Sequence, residues 1–177
     1  MTRRPILLYP DPILRRKTDP VANFDAALLA LVEEMKATMY DAPGVGLAAP
    51  QIGSLERIAI IDVDPGGPRS HLYVLANPRI VESSGADAEL EGCLSIPGFT
   101  ERVDRPSTVR VEAQDASGKI YEVAAEGLLA RALCHEIDHL NGVLFIDHIR
   151  GLRRQLALRK LTKLGYARED VPARPRR

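Results

Sequence analysis

The sequence predicts an α+β fold, with mixed or antiparallel β-sheets packed around a central helix, one helix before them and one after. Three observations carry this. Stretches rich in β-branched residues are grouped in the middle of the chain. Helical periods lie on either side of that group, which favours α+β over an alternating βαβ order. One of those helical stretches contains "HEIDH" (135–139), a pattern typical of a helix that holds a metal.

The first helix is read from "NFDAALLALVEEMKATMYDAPG", where Phe24, Leu28, Leu31, Met35 and Met39 recur at three- and four-residue steps. Asn23 is the expected cap and Pro43-Gly44 the stop. This helix is core scaffolding. Strands are expected at 57–64, at 71–83 with an interruption at Asn77-Pro78, and at 107–114. "DASG" turns the last of these into a hairpin partner at 119–127. "LLARALCHEIDHLNG" is again helical in period and is closed by Asn141-Gly142. "GLRRQLALRKLTKLG" supplies a final helix, docked through Leu152, Leu156, Leu161 and Leu164.

Composition sets the frame. With 177 residues, one domain over 1–166 is expected, followed by a flexible tail over 167–177. The 24 basic and 24 acidic side chains cancel, so net charge argues neither for nor against a polyanionic partner. No apolar run reaches the length of a membrane span, and "MTRRPILLYPDP" is too short a leader for secretion. A soluble, cytoplasmic protein with neither DNA nor membrane as partner is the expectation. Two cysteines are too few for a disulfide scaffold.

On a helix His135 and His139 lie one turn apart on one face and can share an ion, with Glu136 beside them as a general base. The neighbouring Leu128 and Ala132 share the inward face with His135. The third ligand is open among Cys93, Cys134, His71, His148 and the acidic residues. Cys134 is rotated about 100° from His135 and reads better as a buried small side chain. Cys93, in the tight segment "EGCLSIPG", is the better candidate. A Cys-His-His set leaves a fourth position for water, the layout of a catalytic site. "PGVGLAAPQIG" (43–53) implies close approach to backbone; it lacks the Lys and Ser/Thr of a phosphate-binding loop.

Taken together, "GVGLAAPQ" (44–51), "EGCLS" (91–95) and "HEIDH" (135–139) resemble, in order, the three signature motifs of peptide deformylases. "LLYPDPILR" and "GLLARALCHEIDHLNGVLF" extend the similarity over most of the chain. The resemblance implies an enzyme that removes the formyl group from N-formylmethionine on nascent polypeptides. It implies Cys93, His135 and His139 as metal ligands and Glu136 as general acid and base. Gln51 and the backbone N–H of Leu94 would assist the oxyanion. The implied ion is Fe(II), replaceable by Zn, Ni or Co; the donor types alone suit zinc equally.

The peptide is expected to pair with backbone near Val45-Gly46, and its methionine to enter a pocket of Val45, Leu128 and Ala132 beside the His135 ring. Arg131 is expected to line the rim of that pocket with its stem and send its head outward. The resemblance further implies a buried Glu91–Arg105 pair that fixes the Cys93 segment. Asp138 is expected to have a helix-surface or local hydrogen-bonding role. Basic residues between Asp147 and Glu169 suit either contact with ribosomal RNA or a plain solvated helix face. Cys134 stands where the family often has Gln. Two rivals share part of the pattern. A zinc peptidase would place its third ligand downstream, and a closed metal-binding module would add a fourth protein ligand.

Overall fold

The structure, a computed structural model, describes residues 2–166. Its helices are α1 (Ala26–Asp41), α2 (Gly127–Leu140) and α3 (Gly151–Lys163). Its strands are β1 (Gly46–Ala48), β2 (Ile58–Ile61), β3 (Tyr73–Ser84), β4 (Asp87–Gly92), β5 (Thr100–Arg105), β6 (Thr108–Gln114) and β7 (Ile120–Glu126). One sheet runs β1-β2-β3-β6-β7, antiparallel throughout, and β4-β5 form a separate antiparallel hairpin. The tail expected over 167–177 lies outside the described residues.

Alternation explains the sheet. Val109, Val111 and Ala113 of β6 are buried while Thr108 and Arg110 are exposed. The buried row packs with Leu75 and Val123 against Ala130, Leu133 and Ile137 of α2. A second core joins Leu28, Leu31, Met35 and Met39 of α1 to Leu47, Ile58 and Ile60. The helical face read from the sequence is therefore the buried one, apart from Phe24, which precedes the helix and is only partly buried.

Three expectations are corrected and one hairpin is new. α1 is capped by Asp25, whose carboxylate accepts from the N–H groups of Ala27 and Leu28, not by Asn23. β3 passes through Asn77-Pro78 without ending, because a register shift between Ala76 and Arg79 removes the need for a ladder bond from proline. Asn77, at φ 52°, exchanges two bonds with the Val21 backbone there. α3 docks through Ala157 and Leu161, leaving Leu152, Leu156 and Leu164 exposed. The β4-β5 hairpin was not read from the sequence at all.

α2 ends as its sequence predicts. Gly142 (φ 71°) donates to His139 O at 3.0 Å and Val143 to Asp138 O at 2.9 Å, a paired C-terminal closure that needs a left-handed residue. This stop lies three residues past His139, so the face that carries His135 and His139 reaches the end of the helix.

Candidate metal centre and active site

The free edge of β1, the turn after β4 and the first three turns of α2 enclose a cleft of about 670 Å³. Val45, Gly46, Gln51, Cys93, Leu94, Leu128, Ala132, His135 and Glu136 all line it. Three segments distant in sequence thus meet in one place.

The donor atoms of Cys93, His135 and His139 all lie within 4.8 Å of one another. Cys93 Sγ is 3.2 Å from His139 Nε2. His135 donates through Nδ1 to Glu91 Oε1 at 2.6 Å, which leaves its Nε2 for an ion. Loss of hydration raises the Cys93 thiol, but the His139 and His135 imidazoles beside it outweigh that and bring it to about 5. Burial pushes the Glu136 carboxyl up to about 7, against the pull of both imidazoles.

Glu136 is buried, and its Oε2 has no hydrogen-bond partner among the described residues. A Cβ on Gly46 would overlap Glu136 Oε1, so the glycine at this position admits the carboxylate. Gln51 sits on a short 3₁₀ turn and is held from both ends. Its Oε1 accepts from Ala48 N–H at 2.9 Å, and its Nε2 donates to Ser95 Oγ at 3.1 Å and toward Cys93 Sγ at 3.6 Å.

Behind the cluster is a buried ionic network. Arg105 grips Glu91 through Nη2 (2.6 Å) and Nε (3.1 Å). Its Nη1 reaches Asp138 Oδ2, which also accepts from His148 Nε2. Of the two roles expected for Asp138 the structure gives the hydrogen-bonding one, extended to the Arg105 side chain that it anchors. Arg131 is also corrected: its stem lines the cleft, but its head turns inward to Glu91 because the hairpin covers that face of α2. Leu128, expected to point inward, is 54% exposed at the cleft mouth, since it lies in the first turn of α2. Cys134 is buried against the sheet, and burial raises its thiol to about 11. His71 is exposed on β3's approach and His148 belongs to the network, so neither joins the cluster.

Sequence reasoning missed Ser95, the inward bonds of Arg131 and the Asp138–His148 pair. Ser95 was legible within "EGCLS"; the bonds of Arg131 depend on the hairpin and the Asp138–His148 pair on the turn after α2, whose positions no local pattern reveals.

An α+β scaffold with a Cys-His-His cluster open to a cleft and a buried glutamate beside it defines a candidate metal-dependent hydrolase. The sequence profile of the polypeptide deformylase family matches residues 3–155. The peptide deformylase of Mesorhizobium japonicum is 49% identical, over 98% of each chain, and that of Rhizobium meliloti is 48% identical, over 95% of this chain and 97% of that one. The crystal structure of a peptide deformylase from Legionella pneumophila matches with TM-score 0.85 at 48% identity, covering 93% of this chain and 96% of that one. The chain belongs to the peptide deformylase family, a family of metalloenzymes that deformylate N-formylmethionyl peptides.

Proposed function

We propose that this chain hydrolyses the formyl group from the N-formylmethionine of nascent polypeptides, releasing formate and a free amine. The convergence of Cys93, His135, Glu136 and Gln51 on one cleft, with His139 buried beside Cys93 and His135, carries this reading. The residues fit a metal: one acidified thiol and two imidazoles converge, and the His135 ring is aimed by a carboxylate on its far nitrogen. Cys93, His135 and His139 would hold it, with Fe(II) the ion the family implies and Zn, Ni or Co its replacements. When bound, the ion supplies Lewis acidity at the formyl oxygen and acidifies water.

The chain's own groups then divide the work. Glu136 takes the proton of the attacking water and passes it to the amine nitrogen as the C–N bond breaks. The Gln51 amide, held by Ala48 and Ser95 and able to turn the N–H now directed weakly at Cys93 Sγ, and the Leu94 N–H donate to the oxygen that gains negative charge; loss of one such donor costs about 10²–10³ in rate. The free edge of β1 at Val45-Gly46 pairs with the extended peptide backbone, and Val45, Ala132 and the rim residue Leu128 enclose the methionine side chain.

Residues 1–166 act as one catalytic domain in the cytoplasm, where formylated chains emerge. No helix among the described residues is long and apolar enough to cross a membrane. Arg150, Arg159, Lys160 and Lys163 are exposed on or beside α3 and support contact with ribosomal RNA; Arg153 and Arg154 bond to the body instead. Ribosome co-sedimentation that weakens with salt is the expected sign.

The decisive experiment compares turnover of formyl-Met-Ala and Met-Ala by anaerobically purified protein, with metal analysis, for the parent and Glu136→Ala. The expected outcome is hydrolysis of the formylated peptide alone and a variant that keeps its metal but loses activity. Equal cleavage of both peptides would overturn the reading.

A further inference from the structure

Arg131 is 8% exposed, in the wall of the cleft, on a helix whose other buried side chains in that stretch are mostly apolar. Burial of a guanidinium is costly unless its donors are used. Here Nη1 donates to Glu91 Oε2 at 3.0 Å and to Val103 O at 2.9 Å, and Nη2 donates to Asp87 O at 3.0 Å. Asp87 is on β4 and Val103 on β5, so one side chain grips the backbone of both strands of the hairpin.

Spacing makes the grip directional. Arg131, His135 and Asp138 stand at i, i+4 and i+7 on α2 and so share one face. Each bonds to the hairpin: Arg131 to Glu91 and the two carbonyls, His135 to Glu91, Asp138 to Arg105. Cys93 follows β4 by one residue. The hairpin thus carries one donor of the metal cluster and the helix carries the other two.

Glu91 sits at the junction. Its Oε1 accepts from His135 and Arg105; its Oε2 accepts from Arg105 and Arg131. Both oxygens are occupied twice. Without Arg131 the bidentate Arg105 contact remains, but Oε2 loses a donor and the hairpin loses its direct tie to the second turn of α2.

We propose that Arg131 is a positioning residue for the metal, locking the hairpin that bears Cys93 onto the helix that bears His135 and His139 and completing the set of donors that holds Glu91 on His135. This rests on the reading of those three residues as ligands. A planar fork suits this: the carboxylate and the Val103 carbonyl are met from Nη1 and the Asp87 carbonyl from Nη2, a spread that the single nitrogen of lysine does not reproduce.

The test is competition for Co(II) against a chromophoric chelator under anaerobic conditions, using the full chain, Arg131→Leu and Cys93→Ala. Leucine keeps an apolar stem in the cleft wall and removes only the fork. The expected result is a Co(II) dissociation constant raised roughly 10–100-fold in Arg131→Leu, the usual consequence of removing a group that orients a ligand. Thermal unfolding of the metal-free proteins is measured alongside. A lower midpoint with a dissociation constant within threefold of the parent makes Arg131 a structural staple only and overturns the proposal. Should Arg131→Leu fail to fold, Arg131→Gln is judged by the same threshold. Cys93→Ala separates the two levels of inference. If it retains Co(II), the ligand reading falls and this proposal with it; if it loses Co(II) while Arg131→Leu does not, only this proposal falls.

Discussion

Two walls of the same cleft are built by opposite means. α2 buries Ala130, Ala132, Leu133, Cys134, Ile137 and Leu140 against the sheet, and its chemistry rides on an apolar support. The β4-β5 hairpin is mostly exposed, and what it buries within its strands is Glu91, Val103 and Arg105. One wall is held by area removed from water, the other by charge matched to charge. An apolar wall tolerates truncation in proportion to the volume lost, whereas a charged wall fails abruptly when one partner is removed.

The largest expected effect therefore lies on the hairpin. Glu91→Ala leaves Arg105 and Arg131 buried without their carboxylate, which costs about 3–5 kcal/mol in stability and frees the His135 ring. Chemical denaturation and metal content of the same preparation check this together. Unchanged metal content and stability would show that solvent or Asp138 absorbs the two guanidinium charges. On the helix wall, Leu133→Ala removes a fully buried side chain and is expected to cost about 3 kcal/mol through the cavity it leaves. Here metal affinity should persist in the folded fraction, because no donor in the ionic network is touched. Loss of metal without loss of stability would erase the distinction between the walls.

The same contrast decides what was legible in the sequence. α2 and β6 show periods of 3.6 and 2 because apolar burial on one face imposes them, whereas β2 is apolar throughout and β1, buried at all of its positions, lies in a stretch not read as a strand. His135, His139 and Glu136 stand out as candidates by their helical spacing, and the resemblance of three motifs to a known family singles out Cys93 as the implied third ligand. "DAELEG" and "TERVDR" show no such period: their inward residues include a glutamate and an arginine, which binary patterning assigns to solvent. Glu91 and Arg105 entered the reading only as an implied pair, and Arg131 was assigned the wrong direction. Nothing in "LLARAL" announces that a charged strand will lie across it. Long-range pairing between buried charges leaves no local trace.

A smaller version of the charged wall occurs at Asp62, which is fully buried at the end of β2. Burial alone would raise its carboxyl pKa. Donors from Ser70 Oγ, Asp64 N–H, Tyr40 Oη and His71 N–H outweigh that and hold it below its ordinary value of 3.8. A depressed folded-state pKa stabilises the fold fully above the unfolded value, and the contribution is lost as pH falls through the lower folded value. Comparison with Asp62→Asn makes this visible. The stability difference between the two proteins, about 1.5–3 kcal/mol for bonds to a charged acceptor, should be constant above about pH 5 and shrink below pH 4. A difference that stayed flat down to pH 2 would mean the bonds are served equally well by a neutral amide.

The smallest expected effect tests where α1 begins, a point on which pattern and structure disagree. Both Asn23 and Asp25 are good capping residues in principle. Only Asp25 has its carboxylate on the first-turn N–H groups, at 2.9 Å to Ala27 and 3.1 Å to Leu28. A charged cap at a helix N-terminus also meets the positive end of the helix dipole. Asp25→Ala should therefore cost about 1 kcal/mol, while Asn23→Ala, far from any special feature, stays within about 0.5 kcal/mol. Thermal unfolding of the two variants side by side decides it. A reversal of that order would place the helix start two residues earlier and extend the apolar scaffold toward Val21.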